Sequence, residues 1–384
     1  MKSKPSLFLP VVLCVVIFAL PCLAEARIKL TALPERAKTI IRLDNPRATL
    51  IQEDRVLTLQ KGLNKVDFSW KGVSIDEDSI RLDVLSHPYE AVLLGVSYPP
   101  GESALVWDIH SEEATEVTVR ISYLLSNIDR IITYKGVSDK EERELNLKSF
   151  LVIRNFSGED FENALLILEG GQSFERRILH GETKRVLFMK KKAVPIEKFW
   201  TFDAAKLPWD PEKIEGNVGI PASYRIKNRK ESGLGSELLP GGKVRIFQQD
   251  GHGGTIFLGE DRTGPIPIGE EMNIWIGDSR DIVVTQHKMR QAHINQRRNN
   301  KNRVVLYDTD EIIKATIENF KDRAARLTMI QHIPGQWDME ECNMKYVRKD
   351  AYTLRFDIDL PAHGKKELKM HYHRRNLRKS EVLR

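Results

Sequence analysis

The side chains that could do chemistry in this chain are few, and most lie late in it. His371 and His373 flank Tyr372. In a strand, residues i and i+2 share a face, so two imidazoles could hold one metal ion there. Spacing names no third ligand, and the competing reading is an outward polar face on a terminal strand. His287 and His293 form no helical i,i+4 pair, and no glutamate is placed as in a zinc peptidase. Asp76, Glu77 and Asp78 form one acidic cluster, and Asp308, Asp310 and Glu311 another. Calcium needs several oxygens in a spaced loop, which neither cluster supplies; each reads as a solvated turn.

No serine sits in a Gly-x-Ser-x-Gly elbow. Gly170-Gly171, Gly241-Gly242 and Gly253-Gly254 border strands rather than helices, so they are not phosphate cradles. No catalytic residue, metal ligand or cofactor is assigned from these observations. The reading leans away from an enzyme, with a carboxylate- or metal-dependent hydrolase lacking a recognisable motif as the alternative.

The sharpest electrostatic feature is the stretch from Gln286 to Arg303. Its Lys288, Arg290, Arg297, Arg298, Lys301 and Arg303 are candidates for holding a polyanion, either an acidic glycan or lipid head groups. The cationic run Lys288–Arg303 holds no aromatic residue, which argues against a nucleic-acid stacking site. The bland alternative is a flexible, solvated loop. The expected partners are an envelope protein or glycan, with peripheral contact to an anionic membrane surface and no nucleic acid.

The elements that must position these groups read as strands. The densest signal is Leu239 to Val284, where Val244–Phe247, Thr255–Leu258 and Met272–Ile276 alternate with period two between clusters of Gly, Pro and Asp. Lys65–Trp70, Ser79–Val84 and Val117–Tyr123 alternate earlier, with turn residues between them, as in a sandwich. Tyr352–Leu360 and Glu367–His373, separated by Pro361-Ala362-His363-Gly364, read as a closing hairpin. Asp139–Glu144 reads as one helical turn or a loop. The expected fold is all-β, with two or three packed immunoglobulin- or fibronectin-like sandwiches and no coiled coil. Expected divisions are 27–125, 126–235 and 236–376, followed by a basic tail at 377–384.

The dense stretch also carries a resemblance. LPGGKVRIF from Leu239, Phe257–Asp261, Pro267 with Gly269-Glu270, Gly277 and Asp281–Val283 resemble a bacterial domain-of-unknown-function family, the one numbered 4139. Tyr224–Asn228, Gly233-Leu234-Gly235 and Asn155–Asn163 extend the resemblance upstream. It implies an exported or envelope protein and no defined activity. The chain has Pro265-Ile266 where many relatives have a His-Thr pair, and Asp129-Arg130 where many have a tryptophan, so no role of those groups carries over.

With 384 residues, a net charge of +6 and ordinary hydrophobic content, the chain is long enough to bury real cores. Lys2 and Lys4, the uncharged run Leu7–Ala24 and the small residues Ala24 and Ala26 read as a signal peptide, residues 1–26, cleaved near Ala24 or Ala26. The expected location is the periplasm or cell envelope. Cys14 and Cys22 fall in this leader, so Cys342 alone remains and no intramolecular disulfide is expected. Together these features point to a non-catalytic binding or structural protein.

Overall fold

The computed structural model describes residues 31–207 and 219–378. The expected leader, Pro208, Trp209, Pro211 and nearly all of the basic tail lie outside them. The described chain is all-β, with several sandwich-like sheet packings and no coiled coil. Its only helical pieces are 3-10 turns at Glu77–Ser79 and Lys230–Ser232.

The strands run β1 (Thr31–Ala32), β2 (Lys38–Leu43), β3 (Leu50–Leu59), β4 (Gly62–Ser69), β5 (Arg81–Val84), β6 (Ala91–Ser97), β7 (Ala104–Ser111) and β8 (Thr115–Leu124). Next come β9 (Ile128–Ser138), β10 (Glu144–Asn155), β11 (Phe161–Leu168), β12 (Ser173–Ile178), β13 (Thr183–Pro195), β14 (Glu197–Asp203) and β15 (Ile220–Lys227). They are followed by β16 (Gly242–Gln249), β17 (Thr255–Thr263), β18 (Glu271–Ser279), β19 (Ile282–Arg298) and β20 (Val304–Asn319). The chain closes with β21 (Ala325–His332), β22 (Gln336–Cys342), β23 (Val347–Arg348), β24 (Thr353–Leu360) and β25 (Lys365–Arg378).

Two compact units form. The first holds Asp54–Lys71 and Leu82–Arg120 with the described residues up to Ala37; the second holds Lys38–Glu53, Gly72–Arg81 and the chain from Ile121 on. The first contains the sheet β1-β4-β7-β6. Alternation along β4 turns Val66 and Phe68 inward, β7 buries Ala104 to Trp107 in a continuous run, and the Phe68 ring stacks on Trp107 at 5.6 Å. At the edge, β6 leaves Val92, Leu94 and Val96 exposed.

In the second unit one sheet runs β13-β10-β9-β16-β17. It joins strands of the expected 126–235 segment to strands of the expected 236–376 segment through the parallel pair β9 and β16, where Tyr134 lies opposite Val244. The β16–β17 hairpin turns on Asp250, whose Oδ1 accepts from the His252 and Gly254 amides, with Gly251 and Gly253 in the left-handed region. Asp139–Arg143 forms the β9–β10 hairpin loop, with Asp139 Oδ1 accepting from the Arg143 and Glu144 amides.

Two further sheets stack as a sandwich, β18-β15-β14-β21-β24-β23 and β19-β20-β25-β22. Leu327, Met329 and Phe356 are buried on the first, and Ala315, Ile317, Leu368 and Met370 on the second. Gln286 of β19 and Gln331 of β21 exchange hydrogen bonds between them. The expected closing hairpin does not form. β24 pairs with β21 and β23, whereas β25 pairs with β20 and β22. Alternation reports only which face of a strand is buried, and here both strands bury one face in the same sandwich from opposite sides.

Chain crossings between sheets are held by buried asparagines. Asn228 Nδ2 donates to the carbonyls of Glu237, Ile266 and Pro267 at 2.9, 3.0 and 3.1 Å, and its Oδ1 accepts from the Gly235 amide at 2.8 Å. The segments 224–228, 233–242 and 264–270 therefore converge on one fully buried amide. Asn319 does the same for the crossing into β25, donating to Arg323 and Pro361 carbonyls. Asn155 closes the 155–159 turn, where Gly158 has φ +92° and a Cβ would lie 2.0 Å from the Gly72 carbonyl oxygen. Removing such an amide leaves several buried carbonyls without donors. Asn228→Ala is expected to cost about 3 kcal/mol of stability, read as a lower urea midpoint at unchanged m-value.

Candidate functional site

Polar chemistry concentrates on the sheet β19-β20-β25-β22, where β20 lies between β19 and β25. Along β20 the regular alternation breaks at Asp308, Thr309, Asp310 and Glu311, all four of which are buried. The expected solvated acidic turn is thus a central strand with carboxylates on both faces. Such groups persist in a core only when their oxygens are satisfied.

Each is satisfied differently. Asp308 accepts from Asn295 Nδ2 at 2.9 Å and from the Asn376 amide at 2.8 Å, and these two hydrogen bonds hold its carboxyl below the usual range. On the other face, Glu311 takes the Thr309 hydroxyl at 2.8 Å, the Tyr372 phenol at 3.1 Å and Lys288 Nζ at 3.1 Å. Burial alone would push the Glu311 carboxyl up; Thr309, Lys288 and Tyr372 outweigh it and hold the carboxyl low. Burial and the adjacent Glu311 charge push the Tyr372 phenol well above its ordinary value.

Asp310 is the convergence point. His371 Nε2 lies 2.5 Å and His373 Nε2 3.0 Å from its Oδ1, and Arg290 Nε lies 2.8 Å from its Oδ2. The hydrogen bond from His371, with the charge of Arg290, holds this carboxyl below the usual range. Register explains the grouping. Asp310 pairs with His373 across β20 and β25, and the i,i+2 relation puts His371 on the same face. Glu340 Oε1 reaches His373 Nδ1 at 3.3 Å. Glu340 is the extra residue where the β22–β25 register shifts between Met339 and Glu341, a bulge that re-aims a side chain.

The six cations of the basic stretch divide. Lys288 and Arg290 belong to the carboxylates just described. Arg297 and Arg298 end β19, and Lys301 and Arg303 sit in its turn to β20. All four are exposed, and among the described residues none forms a salt bridge. The expected solvated loop is in fact a 17-residue strand. Beyond Gln286 it exposes much of both faces, so its apolar content is low even though its backbone is paired to β20.

Of the other candidates, Asp76, Glu77 and Asp78 are exposed around a 3-10 turn. His287 is exposed, and His293 lies against the Tyr307 ring at 4.4 Å. Cys342 is a free, half-buried thiol donating to the Met344 carbonyl, and burial raises its pKa. Asp310 and Glu340 were not found as partners of the histidines from sequence. The only trace is matching two-residue spacing in Asp308-x-Asp310 and His371-x-His373, which gives no register. Among the described residues no helix is long and apolar enough to cross a membrane. Set against known proteins, the chain matches no family model and no curated sequence.

The two partners of the Lys288–Glu311 pair differ in what they leave behind. Glu311→Ala strips acceptors from Thr309, Tyr372 and Lys288 at once and is expected to cost about 3 kcal/mol. Lys288→Ala leaves Glu311 with Thr309, Tyr372 and the Arg374 guanidinium at 3.4 Å and is expected to cost less than about 1 kcal/mol. Urea denaturation of both variants checks the asymmetry.

Proposed function

We propose that this protein is a non-catalytic binding or structural component of the cell envelope, reached by export, whose C-terminal sheet presents a basic tip to a polyanionic surface. One observation carries the reading. Arg297, Arg298, Lys301 and Arg303 are held together at the β19–β20 turn, exposed and without salt bridges, while the neighbouring Lys288 and Arg290 are spent on buried carboxylates. The turn itself is ordered: Asn299 Oδ1 accepts from the Lys301 and Arg303 amides at 2.9 and 3.0 Å. Cations on a preformed turn lose little backbone entropy on docking. The resemblance to the family numbered 4139 supports the envelope placement, and the leader-like N-terminus supports export.

Each lysine or arginine close to an anionic membrane contributes about 1 kcal/mol, so four together suffice for measurable adhesion. The test is sedimentation with phosphatidylglycerol-containing vesicles and with neutral phosphatidylcholine vesicles across a salt series, alongside retention on an acidic polysaccharide. Binding is expected to the anionic supports only and to weaken with salt. Changing Arg297, Arg298, Lys301 and Arg303 together to Gln is expected to lower it by about two to three orders of magnitude. Retention by the polysaccharide but not by vesicles assigns the tip to a glycan; the reverse assigns it to lipid head groups. Salt-insensitive binding, or equal binding by the quadruple variant, overturns the reading.

A further inference from the structure

We propose that Asp310, His371 and His373 form a site for one divalent ion of zinc's coordination chemistry, with Glu340 as a positioning residue. The site borders the basic tip, since His373 and Arg297 line one pocket, but none of its ligands is a tip cation and it does not depend on what the tip binds.

One ligand atom from each of the three side chains lies within 4.8 Å of the other two, and both Nε2 atoms converge on the same oxygen, Asp310 Oδ1. Donors around a tetrahedral zinc, with bonds of about 2.0–2.2 Å, sit roughly 3.3 Å apart. The observed N–O separations of 2.5 and 3.0 Å need to open by about 0.8 and 0.3 Å to admit the ion. All three ligands stand on paired strands, so the site is carried by sheet backbone.

The surroundings are arranged as a metal site requires. A metal-bound imidazole commonly donates its other N–H to a carboxylate, which fixes the tautomer and turns the remaining lone pair to the ion. Glu340 meets His373 Nδ1 in that position and leaves Nε2 toward Asp310. Arg290 occupies only Oδ2 of Asp310, so Oδ1 stays available. The groups in direct contact are two carboxylates, Asp310 and Glu340, and one guanidinium, Arg290, a net negative charge that attracts a cation.

The donor set selects the ion. Calcium and magnesium take oxygen ligands, whereas two imidazoles and a carboxylate suit zinc and its neighbours. Asp310 is nearly enclosed at 8% side-chain exposure, while His371 and His373 are 27% and 32% exposed. The ion would lie at the lip of the sheet with three protein ligands and a fourth position open to water. The rival account is a hydrogen-bonded cluster only, in which His373 faces carboxylates with both ring nitrogens and no ion enters.

Titration calorimetry decides between them, using the full chain without an affinity tag, stripped by a chelator and titrated with zinc chloride. One equivalent is expected to bind saturably, and cobalt(II) at the same site to give the visible absorption of a low-coordinate nitrogen–oxygen complex. His371→Asn and His373→Asn are each expected to weaken zinc binding by at least about 100-fold, and Glu340→Gln by about 10–100-fold at unchanged stoichiometry. Thermal melts establish that each variant is folded. Because Glu340 is 46% exposed, its variant keeps the test open if a histidine variant fails to fold. Absence of saturable binding, or wild-type zinc affinity in the folded variants, overturns the proposal.

Discussion

The demand that every buried backbone carbonyl find a donor is what this structure depends on. A chain built of short sheets must repeatedly leave one and enter another, and where such a crossing buries its carbonyls a side chain must supply the donors that water cannot. Asn228 answers this most completely, since one side-chain amide serves three carbonyls and one amide from segments that are remote in sequence. Asn319 and Asn155 repeat the device at two other crossings. Asparagine suits it because it offers two donors and an acceptor in one plane without a charge to desolvate.

The same rule governs the charged strand. β20 carries Asp308, Asp310 and Glu311 through a buried position because β19 and β25 supply counter-groups on both faces. Lys288 and Arg290 reach in from an edge strand, keeping their stems along the sheet and their charges on the carboxylates. Beyond them the four tip cations are exposed and, among the described residues, form no salt bridge, although Arg297 lines a pocket with Asp308 and Arg298 donates to the Asn302 carbonyl. One basic stretch thus has two physical roles, divided at the point where β20 passes from its buried carboxylates to the exposed turn.

Strand identity was readable from the residues. Glu144–Asn155 alternates buried and exposed almost without fault, as its apolar spacing demands, and the β16–β17 hairpin follows from Asp250 and the glycines around it. Sheet membership was not readable. β24 and β25 are adjacent in sequence and both alternate, yet they lie in different sheets, because a face pattern is the same whether the neighbour is hydrogen-bonded beside a strand or packed across from it. The strand within 286–303 was hidden for a related reason: a strand with both faces in solvent has no apolar rhythm to show.

The sequence by itself determined that the described chain is nearly all β, which runs alternate, and that His371 and His373 share a face, since these follow from the local geometry of an extended chain. Only the tertiary structure decided that Asp310 stands opposite His373, that Glu340 backs it from a bulge, and that Lys288 and Arg290 are committed while Arg297, Arg298, Lys301 and Arg303 are not. Those facts depend on register between strands dozens of residues apart. Register is set by the summed packing and hydrogen bonding of whole sheets, which no local stretch contains.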